Sequence, residues 1–278
     1  MPGFTSRDDL INEITVNGKA DLWNFYKISP AASETGGVWH SLWRGVGNPG
    51  AGANPATTPG TVYDSDPASI VAGSIFFPDR STDEKYLLSF GAICAAACTL
   101  MLYDRLAGVS GISGSSTGAK TVNSGALSRY SGAAAVNNEA WIEVSTASTA
   151  TAGVMNLNSY TSADGTTGLS GGSVTLPAAA TNIDTLVQLP LAANEQGIRS
   201  IEAGINIGTA STSLVFNALI IRPLVRLPLA AGVWNEVSLL DDTFGLPRIF
   251  DNACLGLAVV GTASITPTVW GTINCAYG

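Results

Sequence analysis

The chain carries a single histidine, His40, in the run Val38-Trp39-His40-Ser41-Leu42-Trp43-Arg44. Any Ser-His-Asp relay would have to pass through it, and no Gly-x-Ser-x-Gly elbow supplies a nucleophile. A lone histidine between two tryptophans reads as a packed residue, and cysteine–histidine catalysis lacks a second signal. Carboxylates occur as close neighbours at Asp8-Asp9, Asp64/Asp66 and Asp241-Asp242. A glycosidase needs two carboxyls facing each other across a cleft, which adjacency does not provide. Asp64-Ser65-Asp66 runs into Pro67 and lacks the downstream glutamate of a calcium loop. The run Gly47-Asn48-Pro49-Gly50-Ala51-Gly52 resembles a phosphate loop only in its glycines, since no helix opening on Lys-Ser/Thr follows.

Four cysteines complete the reactive inventory. Cys94 and Cys98 on one strand would lie about 13 Å apart, beyond disulfide reach. Cys254 and Cys275 could meet across neighbouring strands. With no CxxC pair and no histidine-rich partner, all four are expected as buried free thiols, not metal ligands. The expectation is a protein that is no enzyme, with no catalytic residue, no cofactor and no metal site.

Asp104 is different. It shares a strand face with Leu100, Leu102 and Leu106, so it should point inward, where a carboxylate needs a cation or several donors. Arg129, in Leu127-Ser128-Arg129-Tyr130, and Arg199, in register with Ile201, Ala203 and Ile205, are the candidate partners in a structural ion pair.

The elements holding these residues are mostly strands. Ser6 is a helix N-cap with Asp9 three residues on, Leu10, Ile11 and Ile14 form a helical stripe, and Asn17-Gly18 stops it. Residues 1–29 are therefore expected as a helix and arm, serving as a lid on the core or as an assembly arm. Gly45 to Asp66 is a Gly/Pro-rich connection too long for an ordinary loop unless disordered or pinned by contacts. Strands are expected at Ser74–Phe77, Tyr86–Ile93, Cys98–Leu106, Glu139–Thr146, Val154–Tyr160, Asp184–Leu191, Ile198–Gly208, Leu214–Ile221, Leu255–Gly261 and Thr268–Tyr277, with Val38–Arg44 as an earlier one. Ten or eleven strands without intervening helices predict an all-β fold, a jelly-roll-like β-sandwich over residues 30–278 as one or two β subdomains. Leu214–Ile221 is apolar on both faces. It is either a central strand or, through Val215, Leu219 and Ile221, a self-association surface.

Composition narrows the partners. Only 12% of the 278 residues are charged, about half the usual share, and mean hydropathy is +0.27. A chain so poor in charge is expected to cover its surface with copies of itself or a partner. The net charge of −8 and the scattered basic residues argue against nucleic acid. The start, Met1 to Asp9, has no basic and apolar leader, and the longest near-apolar stretch, Ala92 to Leu102, is too short to span a bilayer. Cytoplasmic synthesis and no membrane partner are expected.

Lys85-Tyr86-Leu87-Leu88-Ser89-Phe90-Gly91-Ala92 and Leu102-Tyr103-Asp104-Arg105-Leu106 with Gly108 and Gly111-Ile112 come first in a longer series. Thr121-Val122-Asn123-Ser124, Ala126-Leu127-Ser128-Arg129-Tyr130, Ala140-Trp141-Ile142-Glu143, Ser159-Tyr160-Thr161 and Gly197-Ile198-Arg199-Ser200-Ile201 follow in order. Over roughly residues 30 to 230 this order resembles structural proteins of tailed-bacteriophage virions. The resemblance implies a head decoration or cement protein on the outer surface of the capsid. Its partners would be the major capsid protein and itself, as a homotrimer assembled in the bacterial cytoplasm. The Leu10, Ile11 and Ile14 arm would touch the shell. The alternative is a tail or head fibre, including a receptor- or glycan-binding module, which exposed aromatics around a shallow groove would favour.

Overall fold

The computed structural model describes residues 3–31, 34–80, 83–148, 153–176, 182–240 and 245–278. In chain order its elements are helix α1 (Arg7–Thr15) and strands β1 (Ala20–Ile28), β2 (Trp39–Ser41), β3 (Gly47–Asn48), β4 (Lys85–Cys94), β5 (Cys98–Ser113), β6 (Gly118–Lys120), β7 (Glu139–Thr146) and β8 (Val154–Ser162). There follow β9 (Val174–Thr175), β10 (Thr185–Leu189), β11 (Ile198–Thr209), β12 (Val215–Leu229), β13 (Asn235–Ser238), β14 (Arg248–Ile249), β15 (Leu255–Gly261) and β16 (Thr268–Tyr277). Among the described residues the fold is all-β with one short α-helix.

The ladders do not give the two facing sheets of a jelly-roll sandwich. β10-β2-β15-β5-β12-β7 close into a barrel, β13-β4-β16-β1-β3 with β14 form an open sheet of six strands, and β6-β11-β8-β9 form a sheet of four. Strand count and alternation are the same for open and closed ladders, so they could not distinguish these. The barrel is central because its two longest strands, β5 and β12, are each covered twice. The six-stranded sheet brings Phe25, Leu87, Phe90, Val269 and Ile273 onto Leu100, Leu102, Leu227 and Leu257. The four-stranded sheet brings Met155, Leu157, Ile201 and Ile205 onto Val109, Ile112, Ile142, Phe216 and Ile220. Met101, Tyr103, Trp141, Leu186, Leu219, Ile221 and Ala258 pack inside the barrel.

That geometry explains the doubly apolar strand. β12 lies between β5 and β7, with Phe216, Ala218 and Ile220 under the four-stranded sheet and Leu219 and Ile221 inside the barrel. Leu219 and Ile221 are buried and Val215 is half-buried, so this is a central strand, not a self-association surface. Pro223 and Pro228 fall where β12 has left β7, so their missing N–H groups break no ladder on that side.

Residues 1–29 divide. Ser6 caps α1 by accepting from the Asp9 amide at 3.0 Å. Leu10 is buried against Leu88 and Ala276 of the chain's own six-stranded sheet, with Ile14 partly buried beside it. Of Leu10, Ile11 and Ile14, the residues expected to touch a partner, only Ile11 faces solvent, at 51% exposure. Ala20–Ile28, expected as part of the arm, instead pairs along its whole length with β16. Conversely Ser74–Phe77 forms no strand; Ile75 makes one bridge to Leu255. Because Leu10 docks on the body, Leu10→Ala should lower unfolding free energy by about 2–3 kcal/mol in a denaturant titration. A change within experimental scatter would mean that the helix is not held by this contact.

Candidate functional sites: a buried ion-pair network and an exposed aromatic face

Asp104 and Arg105 are consecutive on β5, so their side chains leave opposite faces. Asp104 meets Arg129 in a two-pronged pair, Nε–Oδ2 and Nη2–Oδ1 both at 2.6 Å. The Cys254 amide also donates to its Oδ1 at 3.0 Å. Arg129 donates further to the Arg105 carbonyl at 2.9 Å, the Tyr63 carbonyl and Asp64 Oδ1. Arg199, the other candidate, lies elsewhere and donates to the Ala163 carbonyl. Arg105 points into the barrel and pairs with Glu143 of β7 through Nη1–Oε1 at 3.1 Å and Nη2–Oε2 at 2.9 Å. Its guanidinium lies 4.8 Å from the Trp43 ring centre and 5.0 Å from that of Tyr63. Asn217 of β12 donates to both Glu143 and Asn54 at 2.9 and 3.1 Å.

Burial alone would raise the Glu143 carboxyl, but the Arg105 charge and its hydrogen bonds bring it down to about 2. Asp184 answers in the opposite direction. Burial, with the nearby Glu143 charge, pushes it up to about 7 against the pull of Arg44. Sequence reasoning missed Glu143 as the partner of Arg105. The available signal was a glutamate inside the otherwise apolar Trp141-Ile142-Glu143-Val144.

The Gly45–Asp66 connection is pinned by this network. Asn54 accepts from Asn217, Trp43 Nε1 donates to the Ala53 carbonyl at 2.9 Å, and the Tyr63 and Asp64 oxygens hold Arg129. Gly52 lets the chain cross Trp43 closely, since a Cβ there would sit 2.3 Å from the indole nitrogen. The glycine run has the opposite polarity to a phosphate cradle. The Gly45 and Gly50 carbonyls accept from the buried Lys27 ammonium at 2.9 and 3.0 Å, and burial lowers that amine to about 8.

The other reactive-looking residues are likewise engaged. His40 is fully buried, with Nδ1 on Glu34 and Nε2 on the Thr35 backbone; Ser29 donates to Glu34 and not to the ring. Asp64 accepts from Ser128 and Asn252, whereas Asp66 caps its own turn at Ala68 and Ser69, so the two carboxyls do not converge. Asp241-Asp242 lies outside the described residues. Cys94 ends β4 and Cys98 begins β5, so they face across a hairpin and are not spread along one strand. The Cys98 thiol, hydrogen-bonding to Cys94, lowers the latter. All four cysteines are buried and free. A cavity of about 620 Å³ is lined by Tyr130, Arg222, Arg248 and Phe250, among others. Arg222 donates there to the Ala134 and Val136 carbonyls, and Arg248 pairs with Glu84 at 2.6 Å.

One face has the reverse character. On the outer side of the six-stranded sheet Trp234 and Trp270 are 45% and 44% exposed. Trp270 opposes Tyr26 of β1, with ring centres 5.4 Å apart and planes inclined by 35°. Trp43 and Trp141 are buried, Trp39 is half-buried, and Trp43 serves the ion-pair network.

The chain matches no family model, no curated protein and no solved structure. Among the described residues no helix is long and apolar enough to cross a membrane, and no group of three or more His, Cys, Asp or Glu could hold a metal ion.

Asp104→Ala should cost about 3–5 kcal/mol by leaving Arg129 buried without its partner, whereas Arg199→Ala should cost under about 1 kcal/mol. Equal effects in chemical denaturation would refute the assignment. The pH dependence follows from the two shifted carboxyls. Glu143, depressed when folded, stabilises above its ordinary 4.5, and this is lost as pH falls through about 2. Asp184, raised when folded, stabilises below its ordinary 3.8, and this is lost as pH rises through about 7. Melting temperature should therefore fall on both sides of mildly acidic pH, and Asp184→Asn should flatten the alkaline side of that curve. An unchanged slope in the variant would exclude Asp184 as its source.

Proposed function

We propose that this chain is a non-enzymatic structural protein of a tailed-bacteriophage virion, a decoration or cement protein that bridges major capsid protein subunits on the outside of the head. The observation that carries the reading is the fate of the chemically capable side chains. Among the described residues His40, Glu34, Lys27, Asp104, Arg105, Arg129 and Glu143 are buried and bonded to one another or to backbone. They brace a body in which a closed barrel ties two sheets together. The low charge and the ordered resemblance to virion proteins across residues 30 to 230 support the same reading.

A cement protein acts by burying surface at many equivalent joints, for which rigidity and weakly charged contacts suit better than a cleft. The shell contact is assigned to the edge carrying α1. Ile11 and Val16 are exposed there at 51% and 74%, and Leu240, at 43%, lies where Arg7 reaches its carbonyl at 3.1 Å. A homotrimer matches the local threefold positions of an icosahedral shell and closes without polymerising.

In purified particles the protein should occur on the head at a copy number that scales with the shell subunits, read by quantitative mass spectrometry and particle labelling. A copy number on the scale of a tail would overturn the decoration reading. Light scattering on the isolated protein should report a trimer, and a monomer at micromolar concentration would remove that part. The double variant Ile11→Glu/Val16→Glu should keep the parent melting temperature yet fail to decorate stripped heads.

A further inference from the structure

Strand register sorts the residues of the six-stranded sheet by face, because paired residues point the same way. Phe25, Val269 and Ile273 enter the core. Their neighbours point out. Across the strands, Glu236, Gly91, Thr272 and Asn24 form one row; Ile93, Trp270, Tyr26 and Asn48 form the next. Trp234, just before β13, lays its ring over Gly91, where a Cβ would come within 2.6 Å of the ring. Glycine at this position therefore lets the indole approach the sheet closely. The Trp234, Trp270 and Tyr26 rings thus lie over three adjacent strands, β4, β16 and β1, a span of about 10 Å at the usual strand spacing. α1 covers the sheet only around Leu88 and Ala276. Trp270 is six residues along β16 from Ala276, about 20 Å away.

The chemistry of the face selects its ligand. Large aromatic rings left half in water are the usual anchors of recognition surfaces. Here they alternate with an amide, a hydroxyl and a carboxylate, at Asn24, Thr272 and Glu236, of which Asn24 and Glu236 are exposed. The two rows contain no lysine or arginine. Phosphate, sulfate and carboxylate groups would meet no cation and one like charge. A sugar fits the same pattern. The C–H faces of its rings stack on aromatic planes, and its hydroxyls exchange hydrogen bonds with amides, hydroxyls and carboxylates.

We propose that the outward face of the six-stranded sheet binds a neutral glycan, with its sugar rings on Trp234, Trp270 and Tyr26 and its hydroxyls on Asn24, Thr272 and Glu236. This goes beyond the structural reading and uses a surface distant from the α1 edge. A decorated head would then carry a glycan-binding site at each copy, and weak single sites would be multiplied by number.

The test is affinity electrophoresis of the whole protein through gels containing a β-glucan, a mannan, a galactan or an α-glucan, with heparin as the anionic control. At least one neutral polysaccharide should retard the protein and heparin should not. Trp270→Ala and Trp234→Ala should each weaken that binding about tenfold or more, as expected of an aromatic hot spot. Trp270→Phe should retain part of it. Both tryptophans are surface residues, so an unchanged melting temperature separates lost binding from lost folding. Retardation by none of the neutral polysaccharides, or equal retardation of the alanine variants, would overturn the proposal. So would alanine variants that bind no glycan differently but lose trimerisation or head attachment, since the face would then be a protein interface. Decoration is read separately through Ile11→Glu/Val16→Glu, so either reading can fail while the other stands.

Discussion

Two opposite charges side by side on one strand set the most demanding condition in this molecule. Asp104 and Arg105 leave β5 on opposite faces and both are essentially excluded from water. An unpaired charge in either place would cost several kcal/mol, so each requires its own counter-charge at bonding distance. Arg129 reaches one face from the segment before β7, and Glu143 reaches the other from β7 itself. Because the two partners approach β5 from different directions, satisfying both fixes the barrel wall relative to its surroundings. Hydrophobic burial supplies the larger free energy, but it is tolerant of small slips. The two ion pairs are not tolerant, since a slip of one residue would exchange their faces.

The long Gly/Pro-rich segment is ordered by the same requirement. Arg105 packs against both Trp43 and Tyr63, Arg129 is held by the Tyr63 carbonyl and Asp64, and Asn217 is shared between Glu143 and Asn54. Residues 43–64 therefore complete the coordination of charges that the strands alone leave half-satisfied. Lys27 extends the principle to a place without a carboxylate. Its ammonium is surrounded by carbonyls of the segment, an arrangement that stabilises the cation less than a counter-charge and leaves its proton affinity reduced. The loop and the core are thus one cooperative unit, despite a composition that reads as linker.

Local patterns in the sequence were informative where the physics is local. Glu139–Thr146, Leu255–Gly261 and Thr268–Tyr277 are strands with the bounds that alternation and turn residues set. The Ser6 cap is a matter of residues three apart. The facing of Asp104 followed from period two along β5, and its pairing with an arginine followed from the desolvation cost. Choosing Arg129 over Arg199 did not, because that depends on which strands are neighbours. The same gap hid the Arg105–Glu143 pair and barrel closure. It also misplaced Cys94 and Cys98, whose separation depends on a chain reversal between them. Leu214–Ile221 shows the limit plainly. Its two apolar faces require two covers, but the sequence does not say whether these are parts of the same chain.

The distribution of charge explains the surface. Of the 13 basic residues at least four, Lys27, Lys85, Arg105 and Arg129, are buried, as are Glu34, Asp104, Glu143 and Asp184 among the 21 acidic ones. A chain already poor in charge thus uses a good share of it inside, where the four cations and four anions cancel, so the exterior carries fewer charged groups but the whole net charge of −8. Long-range electrostatics therefore disfavour anionic partners. Recognition of a neutral partner comes from stacking, hydrogen bonding and apolar contact, which act at short range and are little screened by salt. Rigidity is what makes such contacts effective, because preorganised groups lose little freedom when they bind. The buried ion pairs and the cation-free aromatic face are therefore two parts of one arrangement, in which paired charge orders the interior and leaves that face to shape, stacking and hydrogen bonding.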